Sequence, residues 1–184
     1  MANYSFTLKP ESCQIVVLPR MKKLFLIRHS YAEKYSETDL DIDRKLTAEG
    51  MKVASLLGKY LEEEGVSPDA IISSNAQRAM LTSEIVAGQL QFPLENLQIE
   101  DGLYEASIRE FVDFLYQLED NYQTVIIVGH NPVISYAADF LCDAAFNGMV
   151  PGAVVQINFE LNSWKSMDKG LGKLMYYYDI LSDN

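Results

Sequence analysis

Three features of the sequence predict a three-layer α/β/α domain with a mainly parallel central sheet and a C-terminal antiparallel hairpin. Compact apolar runs of strand length alternate with amphipathic stretches of helical spacing, the pattern of βαβ units. The residues with the richest polar chemistry directly follow the apolar runs, where open α/β sheets bind their ligands. From about residue 153 the pattern changes to two β-rich segments separated by a Ser/Asp/Gly loop.

Taken in order, residues 22–27 (KKLFLI) form a buried strand ending in Arg28-His29-Ser30, and the charged stretch 33–45 is a loop. Thr47 is placed as an N-cap, with Glu49 favouring the positive helix end. Met51, Ala54, Leu57 and Leu61 then recur at helical spacing, widened by Val53, Leu56 and Tyr60. Gly65 closes that helix and Pro68 follows. Residues 69–73 make a short strand, 76–90 a helix that Phe92-Pro93 breaks, and 97–99 a further short strand. Ser107 is an N-cap candidate for a helix carrying Phe111, Phe114, Leu115 and Leu118. The run 124–128 (TVIIV) is the clearest buried strand; Gly129-His130-Asn131-Pro132 end it and a helix covers 133–142. The hairpin comprises 153–161 and 173–180, where Trp164 and Tyr176-Tyr177-Tyr178 read as alternating core and edge residues.

Composition narrows the function. The chain has 184 residues, enough for one domain with a sizeable core, and a formal net charge of −11. The acidic balance argues against a general nucleic-acid or anionic-membrane binder. No apolar run approaches the roughly 20 residues of a spanning helix, and the first 20 residues lack a secretory pattern. A cytoplasmic location with reduced thiols is the expectation. Residues 1–20 are expected to be an N-terminal extension without stable structure, and 21–184 a single catalytic domain beginning at Met21. Cys13 and Cys142 form no metal pattern, and C-x6-R at Cys13 is one residue too long for a cysteine-phosphatase loop. The acidic run 39–43 lacks the Gly and Glu that a calcium loop needs and reads as a solvated loop. Neither a metal nor another cofactor is expected.

Both of the chain's histidines fall at strand ends, His29 after the first strand and His130 after the central one. Arg28 and Arg78 join them on the same rim. Two guanidiniums suit a dianionic phosphoryl group, a neutral imidazole is a competent nucleophile toward phosphorus, and a protonated imidazole can donate to the equatorial oxygens. The set suffices for phosphoryl transfer through phosphohistidine. Each residue alone also fits a bland role, a hydrogen-bonded loop histidine or a surface arginine.

The motifs around these residues carry a resemblance. Leu26-Ile27-Arg28-His29-Ser30-Tyr31-Ala32 is similar to the L-x-R-H-G-x-A signature of the histidine phosphatase superfamily, which shares its fold with phosphoglycerate mutase. Arg44-Lys45-Leu46-Thr47-Ala48-Glu49-Gly50 resembles R-P-L-T-x-x-G, Ser74 to Thr82 resembles S-x-x-x-R-A-x-x-T, and Val128-Gly129-His130-Asn131-Pro132 matches V-G-H-x-P. The four stand in the family's order, and the small size resembles the SixA-type branch, whose activity is removal of phosphate from phosphohistidine on signalling or carrier proteins.

The resemblance implies His29 as nucleophile and Arg28, Arg78 and His130 as the phosphate pocket, with Ser74 and Asn131 lining it as substrate-binding residues. It implies a phosphorylated protein or small phosphorylated molecule as partner and no metal. Two departures stand out: Ser30 replaces a Gly, strained if the position needs positive φ, and Lys45 replaces a common Pro. Leu103-Tyr104-Glu105 looks like the L-x-E in which the mutase branch places a proton-donating acid. Glu105 is therefore either a general acid for alkoxide leaving groups or a plain carboxylate, and an imidazole leaving group needs it less. Two alternatives remain beside a phosphohistidine phosphatase: a small-metabolite phosphomonoesterase or mutase-like enzyme using Glu105, and a non-catalytic phosphate-binding module. His29 is expected neutral and His130 charged. The pocket must be locally positive against the acidic whole, so moderate salt should not weaken anion binding.

Overall fold

The computed structural model describes residues 20–144 and 148–182. The expectations for Cys13 and for the extension fall, up to residue 19, outside the described residues. A six-stranded sheet runs in the order β3-β2-β4-β1-β5-β6. Its strands are β1 (Met21–Arg28), β2 (Ala70–Ser74), β3 (Gln98–Glu100), β4 (Thr124–Gly129), β5 (Val154–Glu160) and β6 (Lys173–Tyr178). β1, β4, β2 and β3 are mutually parallel, whereas β5 is antiparallel to β1 and to β6. The predicted architecture, including the terminal hairpin, is therefore the observed one.

The helices are α1 (Ala48–Glu63), α2 (Gln77–Gln89), α3 (Ile108–Leu115) and α4 (Val133–Cys142). Alternate residues of β1 feed two core layers, as the strand's period of two requires. Phe25 and Ile27 pack with Leu57, Leu61 and Val86 of α1 and α2. Leu24 and Leu26 pack with Phe111, Leu115, Ile134 and Leu141 of α3 and α4. Among the described residues no helix is long and apolar enough to cross a membrane.

Local signals act where the sequence places them. Thr47 Oγ1 accepts from the Gly50 amide at 2.9 Å. Ser107 and Glu110 form a reciprocal capping box at the start of α3. Gly65 ends α1 at φ +68°. The buried face of α1 differs from the predicted stripe. It comprises Gly50, Val53, Ala54, Leu57, Gly58 and Leu61, while Met51 and Leu56 are exposed. The two glycines are the reason. A Cβ at Gly50 would lie 2.0 Å from the Tyr31 carbonyl oxygen, and one at Gly58 would lie 2.8 Å from Gln89 Cβ. The glycine side of α1 must therefore face inward, which turns Met51 and Leu56 out.

The aromatic run of β6 packs on the molecule itself: Tyr178 stacks on Tyr60 at 3.8 Å and Tyr176 meets it edge-on. Trp164 is fully buried against Phe159. Cys142 is half-buried on α4 beside the core, and burial pushes its thiol up to about 11, so it stays a protonated small hydrophobe.

Candidate active site

The carboxyl ends of β1, β2 and β4 assemble the site. Arg28 is the last residue of β1, and the backbone of His29 is fixed by donation from its amide to the Gly129 carbonyl at 3.0 Å. β1 and β4 are paired through Arg28 and Gly129, so His29 and His130 emerge side by side, with ring centroids 4.9 Å apart and an interplanar angle of 55°. Arg78 enters from the first turn of α2, behind β2. Thr82 locks that helix to the rim: its Oγ1 accepts from the Ser30 amide at 3.1 Å and donates to the Arg78 carbonyl at 2.7 Å. Ser30 does not have a positive φ, so the Gly-to-Ser departure carries no backbone strain.

The hydrogen bonds fix the tautomer of His29. Its Nδ1 lies 2.7 Å from the Ser30 carbonyl oxygen, which can only accept, so Nδ1 carries the proton. Nε2 accepts from Arg78 Nε at 3.3 Å and so presents its lone pair to the guanidinium. Burial, with the charges of Arg78, Arg28 and Arg44, lowers the ring to about 4. His130 is lowered to about 3, first by burial and then by His29 and Arg78. The expectation of a charged His130 is thus corrected. A half-buried imidazole beside another imidazole and two guanidiniums stays neutral at pH 7.

His130 Nε2 and Ser74 Oγ are 2.8 Å apart. The His130 Nδ1 and Arg28 Nε atoms are buried, with no hydrogen-bond partner among the described residues. Arg28 is oriented instead through its NH1 group, which donates to the Met149 carbonyl at 2.7 Å. Asn131 does not reach the four residues by hydrogen bonds. Its Nδ2 donates to the same Met149 carbonyl at 2.9 Å, and its Oδ1 accepts from Ser135 Oγ at 2.7 Å. It latches the segment that orients Arg28. Glu105 is exposed and makes no hydrogen bond or ion pair among the described residues.

Two residues that the sequence did not single out stand in the site. Asp41 lies in a 3₁₀ turn, Asp41–Asp43, and its Oδ2 accepts from Arg78 NH2 at 2.8 Å and from the Tyr104 hydroxyl at 2.7 Å. Its backbone carbonyl takes Arg78 NH1 at 2.7 Å, and Arg44 donates to Oδ1 at 2.6 Å. Hydrogen bonds from Arg44 and Tyr104, with the charge of Arg78, hold the Asp41 carboxyl far below the ordinary carboxylate range. The Tyr104 ring meets His130 edge-on at 5.5 Å and lies 5.7 Å from the Arg78 guanidinium carbon. No spacing rule marks either residue, because each arrives by loop closure. A cleft of about 620 Å³ lies beside this turn, walled by Glu33, Glu37, Asp43 and Lys45; none of His29, His130, Arg28 and Arg78 lines it.

Comparison with known proteins places the chain in a family. The family described as histidine phosphatase superfamily (branch 1) matches residues 24–116. The chain is 28% identical over 153 residues to a mitochondrial serine/threonine-protein phosphatase Pgam5 of Drosophila yakuba, covering 68% of this chain and 51% of that protein. It thus spans about half the length of that relative. It is 25% identical to an uncharacterized protein of Mycobacterium tuberculosis, covering 83% of this chain and 98% of the relative. Among solved structures, the protein histidine phosphatase SixA complexed with tungstate superposes with a TM-score of 0.76 at 21% identity, covering 88% of this chain and 99% of that one. The alpha-ribazole phosphatase of Shigella flexneri gives 0.64 at 19% identity, covering 86% and 96%. These structural likenesses carry the fold.

Proposed function

Because the chain belongs to the histidine phosphatase superfamily, branch 1, we propose that it is a phosphatase that hydrolyses phosphohistidine on proteins through a covalent phosphohistidine on His29. One observation carries the reading: a half-buried His29 of fixed tautomer beside an Arg28 and a His130 that each keep a buried nitrogen without a hydrogen-bond partner among the described residues. Such unpaired buried groups are costly unless a ligand satisfies them. A phosphoryl dianion supplies three acceptor oxygens for Arg28, Arg78 and His130.

In the first step the lone pair of His29 Nε2 attacks phosphorus, the P–N bond forms, and the bond to the leaving group breaks. The leaving nitrogen or oxygen takes a proton as it departs. In the second step water attacks the phosphohistidine, releasing inorganic phosphate and returning the lone pair to Nε2. Arg28 and Arg78 neutralise charge on the equatorial oxygens throughout. The bound dianion raises the affinity of His130 for a proton, so His130 becomes a charged donor when the pocket is filled. Ser74 holds the His130 ring from its other nitrogen. Phosphohistidine is favoured as substrate because Glu105 is exposed and makes no hydrogen bond to the site among the described residues, and an imidazole leaves without a strong acid.

The relatives named serine/threonine-protein phosphatase favour a second reading, in which the same pocket cleaves phosphoserine or phosphothreonine esters. A protein substrate of each kind, assayed with the wild type and with Glu105→Gln, separates the two. Phosphohistidine turnover unaffected by Glu105→Gln, with little ester turnover, is expected. Efficient ester turnover that falls ~10²-fold in the variant would make Glu105 a general acid and the ester the substrate. His29→Ala should abolish trapping of a radiolabelled phosphoryl-enzyme while the far-ultraviolet circular dichroism is retained. Trapping or turnover above a few per cent in that variant overturns covalent catalysis by His29.

A further inference from the structure

Asp41 occupies the place where a phosphoryl group would engage Arg78. The outer fork of that guanidinium is filled from one residue: NH1 donates to the Asp41 carbonyl and NH2 to its carboxylate, at 2.7 and 2.8 Å. The third donor, Nε, is thereby turned onto the lone pair of His29 Nε2 at 3.3 Å. In this arrangement one carboxylate both fills the fork and keeps a hydrogen bond on the nucleophilic nitrogen. The pairing is unequal: the Arg78 side chain is 7% exposed and that of Asp41 53%. Arg78 belongs to the body of the protein and Asp41 to its surface.

The turn that carries Asp41 is not anchored by apolar packing. Its residues Asp41–Asp43 include no buried side chain. Leu40 before it is 59% exposed, and Asp39 adopts a left-handed φ of 60°. What holds the turn down is polar: Arg78 and Tyr104 on the pocket side, Arg44 on the loop side. Arg44 is itself tied to the Glu33 carbonyl at 2.6 Å, so it travels with the loop and can keep its bond to Asp41 when Arg78 is lost.

We propose that Asp41 is a built-in competitor for the phosphoryl subsite. An incoming phosphoryl group displaces it from Arg78. This rests on the reading of Arg78 as a phosphate-binding residue. The exchange sets a threshold: an anion enters only if its contacts with Arg28, Arg78 and His130 exceed those that Asp41 already makes. A weakly bound anion therefore leaves Asp41 on Arg78, whereas a phosphoryl group takes its place on entry.

The test is titration of the full chain with orthovanadate by isothermal calorimetry, in wild type, Asp41→Asn, Asp41→Ala and Asp43→Asn. Asp43 shares the turn and the charge, but its carboxylate accepts from Thr38 at 2.5 Å rather than from Arg78. A half-exposed ion pair contributes ~1 kcal/mol, so removal of the competing charge should tighten vanadate binding ~5-fold in both Asp41 variants and leave Asp43→Asn within twofold of wild type. Equal or weaker binding in the Asp41 variants would show that Asp41 positions Arg78 rather than competes for it, and overturns the proposal while leaving the pocket intact. Equal tightening in Asp43→Asn assigns the effect to the general field of the acidic loop and overturns it as well. No vanadate binding by any of the four proteins overturns the phosphate pocket itself, and the competitor with it.

Discussion

The two ends of β1 treat a cation in opposite ways. At its start Lys22 is fully buried, yet its ammonium donates to the Asp120 and Tyr122 carbonyls at 3.0 and 2.9 Å and lies 4.9 Å from the Trp164 ring centre. Burial lowers its pKa, with Asp120 opposing that shift. At the other end the half-buried Arg28 uses one nitrogen on Met149, and its buried Nε has no hydrogen-bond partner among the described residues. The first end is satisfied by its own chain and closes the sheet. The second is left incomplete by the chain, the condition for binding something else. The same strand thus separates stability from function over the length of β1.

That contrast can be broken at either end. Arg28→Met should lower phosphatase turnover of a phosphohistidine protein by ~10²-fold or more, through loss of charge stabilisation, with little change in melting temperature. A large fall in Tm with turnover per folded molecule preserved would reverse the assignment of that end. Lys22→Met removes the ammonium from both carbonyls, although Tyr122 O still accepts from Trp164 Nε1 at 3.1 Å and Asp120 O from Gln123 Nε2 at 3.4 Å. It should cost ~1–2 kcal/mol and lower Tm by roughly 3–6 °C in calorimetry, with the folded fraction fully active.

The smallest effect is a pH dependence. His29 and His130 are lowered from 6.5 to about 4 and about 3, so the unfolded chain binds protons below pH 6.5 that the folded chain refuses. Stability should therefore fall as pH drops from about 6.5 toward 4, with a slope of up to two protons in urea melts. His130→Asn should reduce that slope. Asp41, depressed from 3.8, contributes stability that is lost only below that pH, in a separate window. Saturating phosphate should oppose the loss by holding His130 protonated in the folded state. An unchanged slope in His130→Asn would mean that the ring is not held neutral by its burial.

Much of the site was legible because strand ends are legible. Arg28-His29 and His130 follow apolar runs that can only be buried strands, and parallel pairing of β1 with β4 brings the two imidazoles to one edge. Thr82 and Gly50 lie in motifs whose physical cause is now visible, a helix latch to Ser30 and a contact too close for any Cβ against Tyr31. Asp41 and Tyr104 could not be read in this way. They lie 37 and 26 residues from Arg78 in the chain, on segments without periodicity, and reach it only because the loops close over the rim. Asn131 was legible as a neighbour of the site and not as what it is, a latch on Met149.

The sequence by itself determined the parallel sheet, the terminal hairpin and the four residues that converge at the rim, because burial patterns and turn chemistry are local properties. Tertiary structure alone decided the state of those residues. The charge of His130 depends on which groups surround it, the tautomer of His29 on the carbonyl beside it, and the occupation of Arg78 on a turn that packs nothing into the core. Those are long-range electrostatic and hydrogen-bond effects, and they exist only once the chain has brought distant groups within a few ångströms.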